Sequence, residues 1–373
     1  MTLDSNRIYL DHAASAPLKK AAAEAMQAAL AETGNASSVH SFGQAQRRRV
    51  EDARGKLAAR LGVKTSQVIF TASATEANNM ALKGVAAAAI AVSSIEHSSV
   101  LESTPQAQRI KVTQDGVIDL NALEDFLKAA AKPALVSLMC VNNETGVIQP
   151  VLEAAKLAKT YGALLHCDAV QGLGKIPITL AGLGADTLSL SAHKIGGPQG
   201  AGALIVRDGL TLQPFMQGGG QEMRRRAGTE NVAAIAGFGA ALDTLDADLA
   251  QQAEWQKWRA AFEEKIQSAA PAAILFGKNA PRVATITSLS MPGVTSEIQL
   301  MGFDLAGIAV SSGSACSSGK VQASHVLQAM GMEKETASSA IRISFGAGST
   351  RENLEKCVEI WVELYQRKQH KAV

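Results

Sequence analysis

The stretch LLHCDAVQGLGKIPITLAGLGADTLSLSAHKIGG, residues 164–197, decides the fold. Leu164–Cys167 and Thr187–Leu190 are short apolar runs of strand length, one strand–helix–strand step apart. Each gives way to polar chemistry: the first to Asp168, the second to Ser191-Ala192-His193-Lys194 followed by Gly196-Gly197-Pro198. Val68–Phe70, Val136–Val141 and Ala203–Val206 read as further strands. Helical spacing separates them, as at Val50, Ala53, Leu57 and Leu61, and again over Glu153–Tyr161, which Gly162 ends. This alternation predicts an α/β fold with a mostly parallel central sheet. Ligands of such sheets sit beyond the carboxyl ends of the strands.

After about residue 245 the pattern changes. Asp243–Gln267 is a charged helix carrying Trp255 and Trp258; Pro271, Pro281 and Pro292 then punctuate short strands. A Gly/Ser loop and a last helix with Leu354, Cys357, Trp361 and Leu364 on one face follow. The expected organisation is a large α/β domain over 15–250 and a smaller α+β domain formed by 1–14 with 251–373.

Composition narrows the function. Of 373 residues, 47% are apolar and 19% charged, which suits a folded chain with a sizeable core. Thirty-six Lys and Arg against 34 Asp and Glu leave a net charge of +2, too little basic excess for phosphate-driven nucleic-acid binding. The apolar runs Val85–Val92 and Val232–Leu242 are shorter than the roughly 20 residues that span a bilayer. Asp4, Arg7 and Asp11 interrupt any export-signal pattern, and four cysteines make no disulfide framework, so a reducing, cytoplasmic setting is expected.

Three features carry chemistry. Lys194 follows a buried-type strand in a small-residue loop; burial lowers an ammonium pKa and makes the amine a nucleophile suited to a Schiff base. Asp168, at the neighbouring strand end, is placed to pair with a protonated pyridine nitrogen, although capping the next helix would explain it in isolation. Phe70-Thr71-Ala72-Ser73-Ala74-Thr75-Glu76 leads a strand into a helix through small and hydroxylic residues, a cup for a phosphate without a Walker lysine.

Together these residues bring in a family. The chain closely resembles the NifS/IscS-type cysteine desulfurases, within the class-V pyridoxal-phosphate-dependent aminotransferase fold. The likeness runs from Tyr9 to about Gly346. Its motifs are YLDHAASAPL at 9–18, Gly34-Asn35, the cup, Glu96-His97, VNNETGVIQ at 141–149, His166–Gln171, Ser191–Lys194, RAGT at 226–229, SSGSACSS at 311–318 and IRIS at 341–344. The resemblance implies that Lys194 anchors pyridoxal 5'-phosphate and moves protons, and that Asp168 holds the pyridine nitrogen. It implies that Gln171 and Asn143 meet the ring's phenolic oxygen, and that His97 stacks on the ring. Ala74, Thr75, Ser191 and His193 would bind the phosphate, with Thr229 reaching that of the neighbouring subunit of a homodimer. Asn143 and Arg342 would grip the carboxylate of L-cysteine, where a guanidinium fork matches a carboxylate.

Cys316 would be the nucleophile. It stands in a small, polar segment, unlike Cys140, Cys167 and Cys357, which fall on apolar faces and read as core. The implied reaction takes sulfur from L-cysteine as a Cys316 persulfide, leaves L-alanine, and passes the sulfur to an acceptor such as an iron–sulfur scaffold protein. No resident metal is implied; Cys316 would at most ligate a cluster transiently with that scaffold. The alternative is a selenocysteine lyase or cysteine sulfinate lyase of the same fold; an idle assembly subunit is disfavoured by intact Lys194, Asp168, His97 and Cys316. The cup departs from the family's commoner Ser-Gly before Ala-Thr, with phosphate binding expected to survive. Only Gln366–Val373 is expected to follow the last helix, where members often carry a longer scaffold-docking tail.

Overall fold

The computed structural model describes residues 7–313 and 323–371. Its strands are β1 (Ile8–Tyr9), β2 (Val68–Thr71), β3 (Ala89–Ser93), β4 (Gln108–Ile110), β5 (Ala134–Ser137), β6 (Leu164–Asp168), β7 (Thr187–Ser191), β8 (Gly202–Val206), β9 (Ile286–Ser290), β10 (Ile308–Ala309) and β11 (Ala340–Ser344). Seven of them form one sheet in the order β2-β8-β7-β6-β5-β3-β4. Neighbours from β7 through β4 run parallel, while β8 pairs antiparallel with both β7 and β2. One reversed strand between β2 and β7 leaves those two pointing the same way. The carboxyl ends of β2, β7, β6, β5 and β3 therefore share one edge of the sheet.

Strand alternation sorts the sheet's two faces. Val68, Phe70, Val136, Leu165, Cys167, Leu188 and Ile205 enter one core with the helices Ser41–Leu61, Val151–Thr160 and Val232–Leu242. Ile69, Val92, Leu135, Leu204 and Val206 enter another with Ala77, Met80 and Ala81 of the helix Ala74–Gly84. A third cluster gathers Leu10, Trp255, Phe262, Leu289, Ile343 and Trp361 around the antiparallel pair β9–β11 and the helices Leu245–Ala269 and Arg351–Lys371. Among the described residues, no helix is long and apolar enough to cross a membrane.

Several boundaries differ from expectation. The run Val136–Val141 is strand only to Ser137, yet Leu138 and Cys140 keep donating to the carbonyls of His166 and Asp168, so the chain still follows β6. β3 takes the second half of the apolar run Val85–Val92, and β4 is a short edge strand with two exposed residues. The last helix continues to Lys371, so most of the expected tail is helical. Cys140, Cys167 and Cys357 are buried, as their apolar positions predict.

Candidate active site

Several of the predicted site residues lie at the shared sheet edge. Asp168 ends β6 and is buried; its Oδ2 accepts the Asn78 amide at 2.8 Å and its Oδ1 accepts the Val170 N–H at 3.0 Å. Ser191 ends β7, and Lys194 closes the single 3-10 turn Ala192–Lys194 that follows. The Lys194 ammonium donates to the carbonyls of Ala13 at 2.7 Å and Ala14 at 2.8 Å. Gln171 donates to that same Ala13 carbonyl at 2.8 Å and accepts from Lys175 at 3.0 Å. Burial pushes the Lys175 amine down to about 7, and the neighbouring Lys194 charge adds to it. Beside these lysines lies a cavity of about 210 Å³, lined among others by His12, Lys175, Lys194, Trp255 and Phe345.

After β2 the chain turns through the expected cup residues into a helix. Ser73 caps the helix Ala74–Gly84 by accepting the Glu76 N–H at 3.2 Å. Ala74 and Thr75 open the first turn, where the helix dipole and the early N–H groups favour an anion. Glu76 would oppose that anion, but its carboxylate takes the Ala72 N–H at 2.7 Å and pairs with Arg226 at 2.7 Å. Gly202 of β8 lies so close beneath that a Cβ there would stand 2.6 Å from the Ser73 carbonyl carbon and 2.9 Å from the Ala74 nitrogen. The departure at Ala72-Ser73 itself supplies the cap through the Ser73 hydroxyl, and the Thr71 hydroxyl donates to the Ser73 carbonyl at 2.9 Å.

His97, after β3, caps a short helix, and its Nδ1 accepts the Ser99 N–H at 3.1 Å. Burial holds its pKa below the usual histidine value; the Asp168 charge pulls up against this, and Lys194 and His325 push down further. The ring thus feels both the lysine and the aspartate. His193 falls to about 4 by burial and by the charges of Lys194 and Lys175. Asn143 follows β5, and its carbonyl accepts from Arg342 at 3.0 Å.

Arg342 is where sequence reasoning is incomplete. It sits in the middle of β11, buried, and its guanidinium is ion-paired with Asp11 at 2.8 Å. Its Nε has no hydrogen-bond partner among the described residues. The expected carboxylate grip must therefore share this arginine with Asp11. Thr229 is exposed on the loop between Arg226 and the helix Val232–Leu242, and Cys316 lies outside the described residues.

Sequence reasoning missed the supporting groups. The Ala13 and Ala14 carbonyls are backbone atoms with no side-chain signature. Asn78, fully buried inside a helix, carries a faint one: asparagine is a poor helix former, so Asn78-Asn79 in mid-helix asks for a reason.

Known proteins resemble this chain over nearly its whole length. The class-V aminotransferase family matches residues 8–357. The cysteine desulfurase IscS of Dictyoglomus turgidum is 39% identical over 96% of this chain and 95% of its own length. The putative cysteine desulfurase IscS 1 of Bacillus subtilis is 37% identical over 97% and 99%. The solved NifS-like protein of Rickettsia africae superposes with a TM-score of 0.90 at 36% identity, covering 97% of this chain and all of that one. A likeness of this extent places the chain in the class-V aminotransferase family, among the IscS- and NifS-like cysteine desulfurases.

Proposed function

We propose that the protein is a pyridoxal-phosphate-dependent cysteine desulfurase, converting L-cysteine to L-alanine and a persulfide on Cys316. The observation that carries the reading is the meeting of Lys194, Asp168, His97 and the Ser73–Thr75 cup at the carboxyl ends of adjacent or co-directed strands. The donor set fits the cofactor. An amine, a buried carboxylate and a helix N-terminus match an aldehyde, a pyridine nitrogen and a phosphate. Gly202 keeps the floor of the cup free of a side chain.

Bound there, pyridoxal phosphate would supply an electron sink that acidifies the substrate's Cα–H and makes its sulfur electrophilic. The chain's own groups do the rest. Lys194, which donates to the Ala13 and Ala14 carbonyls, would hold the cofactor's aldehyde carbon and carry the proton at the substrate Cα. Asp168 would hold the ring nitrogen, and Gln171 and Asn143 the phenolic oxygen. Ala74, Thr75, Ser191 and His193 would bind the phosphate, with Thr229 reaching that of the partner subunit in a homodimer. Asn143 and Arg342 would orient the substrate carboxylate. The Cys316 thiolate would then attack the substrate sulfur. An S–S bond forms, the C–S bond breaks with its electron pair passing to the carbon skeleton, and proton uptake gives alanine. The names of the relatives favour this reading over a selenocysteine or sulfinate lyase. Transfer to an iron–sulfur scaffold protein, a cytoplasmic setting and the domain division at about residue 250 belong to the same proposal.

Cys316→Ala tests it. The variant should keep the visible absorbance of the bound cofactor and lose alanine formation from cysteine by at least a thousandfold. Lys194→Ala should lose the normal absorbance band. Full turnover by the first variant, or an unchanged spectrum in the second, overturns the proposal.

A further inference from the structure

Behind the candidate site lies a buried hydrogen-bond network that the reading above does not use. Asn78, on the helix Ala74–Gly84, is fully buried and meets three polar side chains. Its Nδ2 lies 2.8 Å from Asp168 Oδ2 and 2.8 Å from Ser99 Oγ. Its Oδ1 lies 3.0 Å from His166 Nε2, and His166 Nδ1 lies 2.8 Å from Thr187 Oγ1. Ser99 Oγ lies 2.8 Å from His97 Nδ1.

Donor chemistry gives this network one direction. An ionised carboxylate only accepts, so the amide end facing Asp168 is the NH₂ group. Its two hydrogens serve Asp168 and Ser99. The amide oxygen must then accept, which puts the His166 proton on Nε2 and leaves Nδ1 to accept from Thr187. At the other end, the Ser99 backbone N–H cannot act as an acceptor, so His97 Nδ1 carries no proton and its Nε2 does. The Ser99 hydroxyl, which accepts from Asn78, donates to that same Nδ1. Every assignment agrees from Thr187 to His97.

We infer that Asn78 is a positioning residue: it ties the Asp168 carboxylate and the His97 ring into one unit whose proton positions are set from behind by His166 and Thr187. The inference rests on the reading of Asp168 and His97 as the groups that meet the cofactor ring. Two features make the arrangement suited to that task. Among the described residues, both donors that hold Asp168, the Asn78 amide and the Val170 N–H, are neutral, so neither cancels the charge that a ring N–H⁺ would need. Burial also pushes His166 down to about 3, so it stays a neutral donor rather than a competing cation.

Two experiments decide it. Nitrogen-15 NMR of the histidines in the wild-type holoenzyme, assigned with His97→Gln and His166→Gln, should show both rings neutral with the proton on Nε2. A proton on Nδ1 of either ring overturns the inference, and this arm needs no folded variant of Asn78. Second, His166→Leu removes the donor to Asn78, whereas His166→Gln can replace it. The leucine variant should bind pyridoxal phosphate about tenfold more weakly and shift the His97 resonances, with the glutamine variant within twofold of wild type. A folded His166→Leu protein with wild-type affinity and unchanged His97 resonances overturns the inference. A wild-type chain that takes up no pyridoxal phosphate sinks the cofactor reading instead.

Discussion

The two sides of the site are built by different means. On the sheet side, Asp168, Ser191–Lys194 and the cup are placed by strand register: each follows the carboxyl end of a strand, and the pairing of Asp168 with Ser189 fixes one end against the next. Asp168 and Lys194 are met there by neutral donors and acceptors. On the opposite side, Arg342 sits on the antiparallel pair β9–β11, and what holds its guanidinium is an acidic residue 331 positions away, Asp11. The segment Ile8–Ala16 joins the two sides. Ile8 and Tyr9 pair with β10, Asp11 takes Arg342, Ala13 and Ala14 accept from Lys194, and the Ala16 N–H donates to the His193 carbonyl. Register gives the sheet side stiffness. Across to the other side, the Arg342 guanidinium is tied by the Asp11 ion pair and the Asn143 carbonyl.

The largest expected effect breaks the stiff side. Gly202→Val would drive a side chain into the Ser73–Ala74 backbone and the Leu190 carbonyl, none of which can rotate away. Overpacking against backbone should cost about 3 kcal/mol or more. Denaturant unfolding should show it, together with loss of pyridoxal phosphate binding. A variant with wild-type stability would mean that the cup does not need the close approach of β8.

Arg342→Met should act on the other side, and less severely. It leaves Asp11 without its partner next to the lysine-holding carbonyls. Asp11 keeps about 20% of its side chain exposed, so water screens part of the loss, and about 2 kcal/mol of stability is expected. The KM for cysteine should rise tenfold or more while the cofactor's absorbance stays. Asp11→Asn sharpens the contrast: it frees the guanidinium, so it should cost stability yet leave KM unchanged or lower. Equal KM increases in both variants would show that the Asp11–Arg342 pair acts as a unit, and not Arg342 alone.

How much of this was legible in the sequence follows the same division. Apolar runs that end in Asp168 and in Ser191–Lys194 announce a sheet edge, because strand length and the polar stop both lie within a few residues. The cup is legible for the same reason: capping is local. The Asp11–Arg342 pair has no such signal, since no periodicity links positions so far apart. β4 escapes notice because three residues at a sheet edge, two of them exposed, carry no apolar alternation. Asn78 is hidden by a helix whose other buried positions are ordinary, and its meaning appears only when β6 and β7 bring His166, Asp168 and Thr187 to one face.

Glu96 tests whether the stiff side tolerates charge. It is fully buried beside His97; Oε1 accepts the Met139 N–H at 2.5 Å, and Oε2 has no partner among the described residues. Burial raises its pKa to about 8, with the nearby Asp168 charge adding to the rise. A carboxyl whose folded pKa exceeds its unfolded value binds more protons when folded, so stability is highest below about 4.5 and falls as pH rises toward about 8. Glu96→Gln keeps the acceptor for Met139 and removes the titration. Wild-type stability should therefore drop between pH 5 and 8 while that of the glutamine variant does not follow it. Parallel pH–stability curves would mean that Glu96 ionises in the fold as it does in the unfolded chain, and that this side of the site accommodates a second carboxylate close to Asp168.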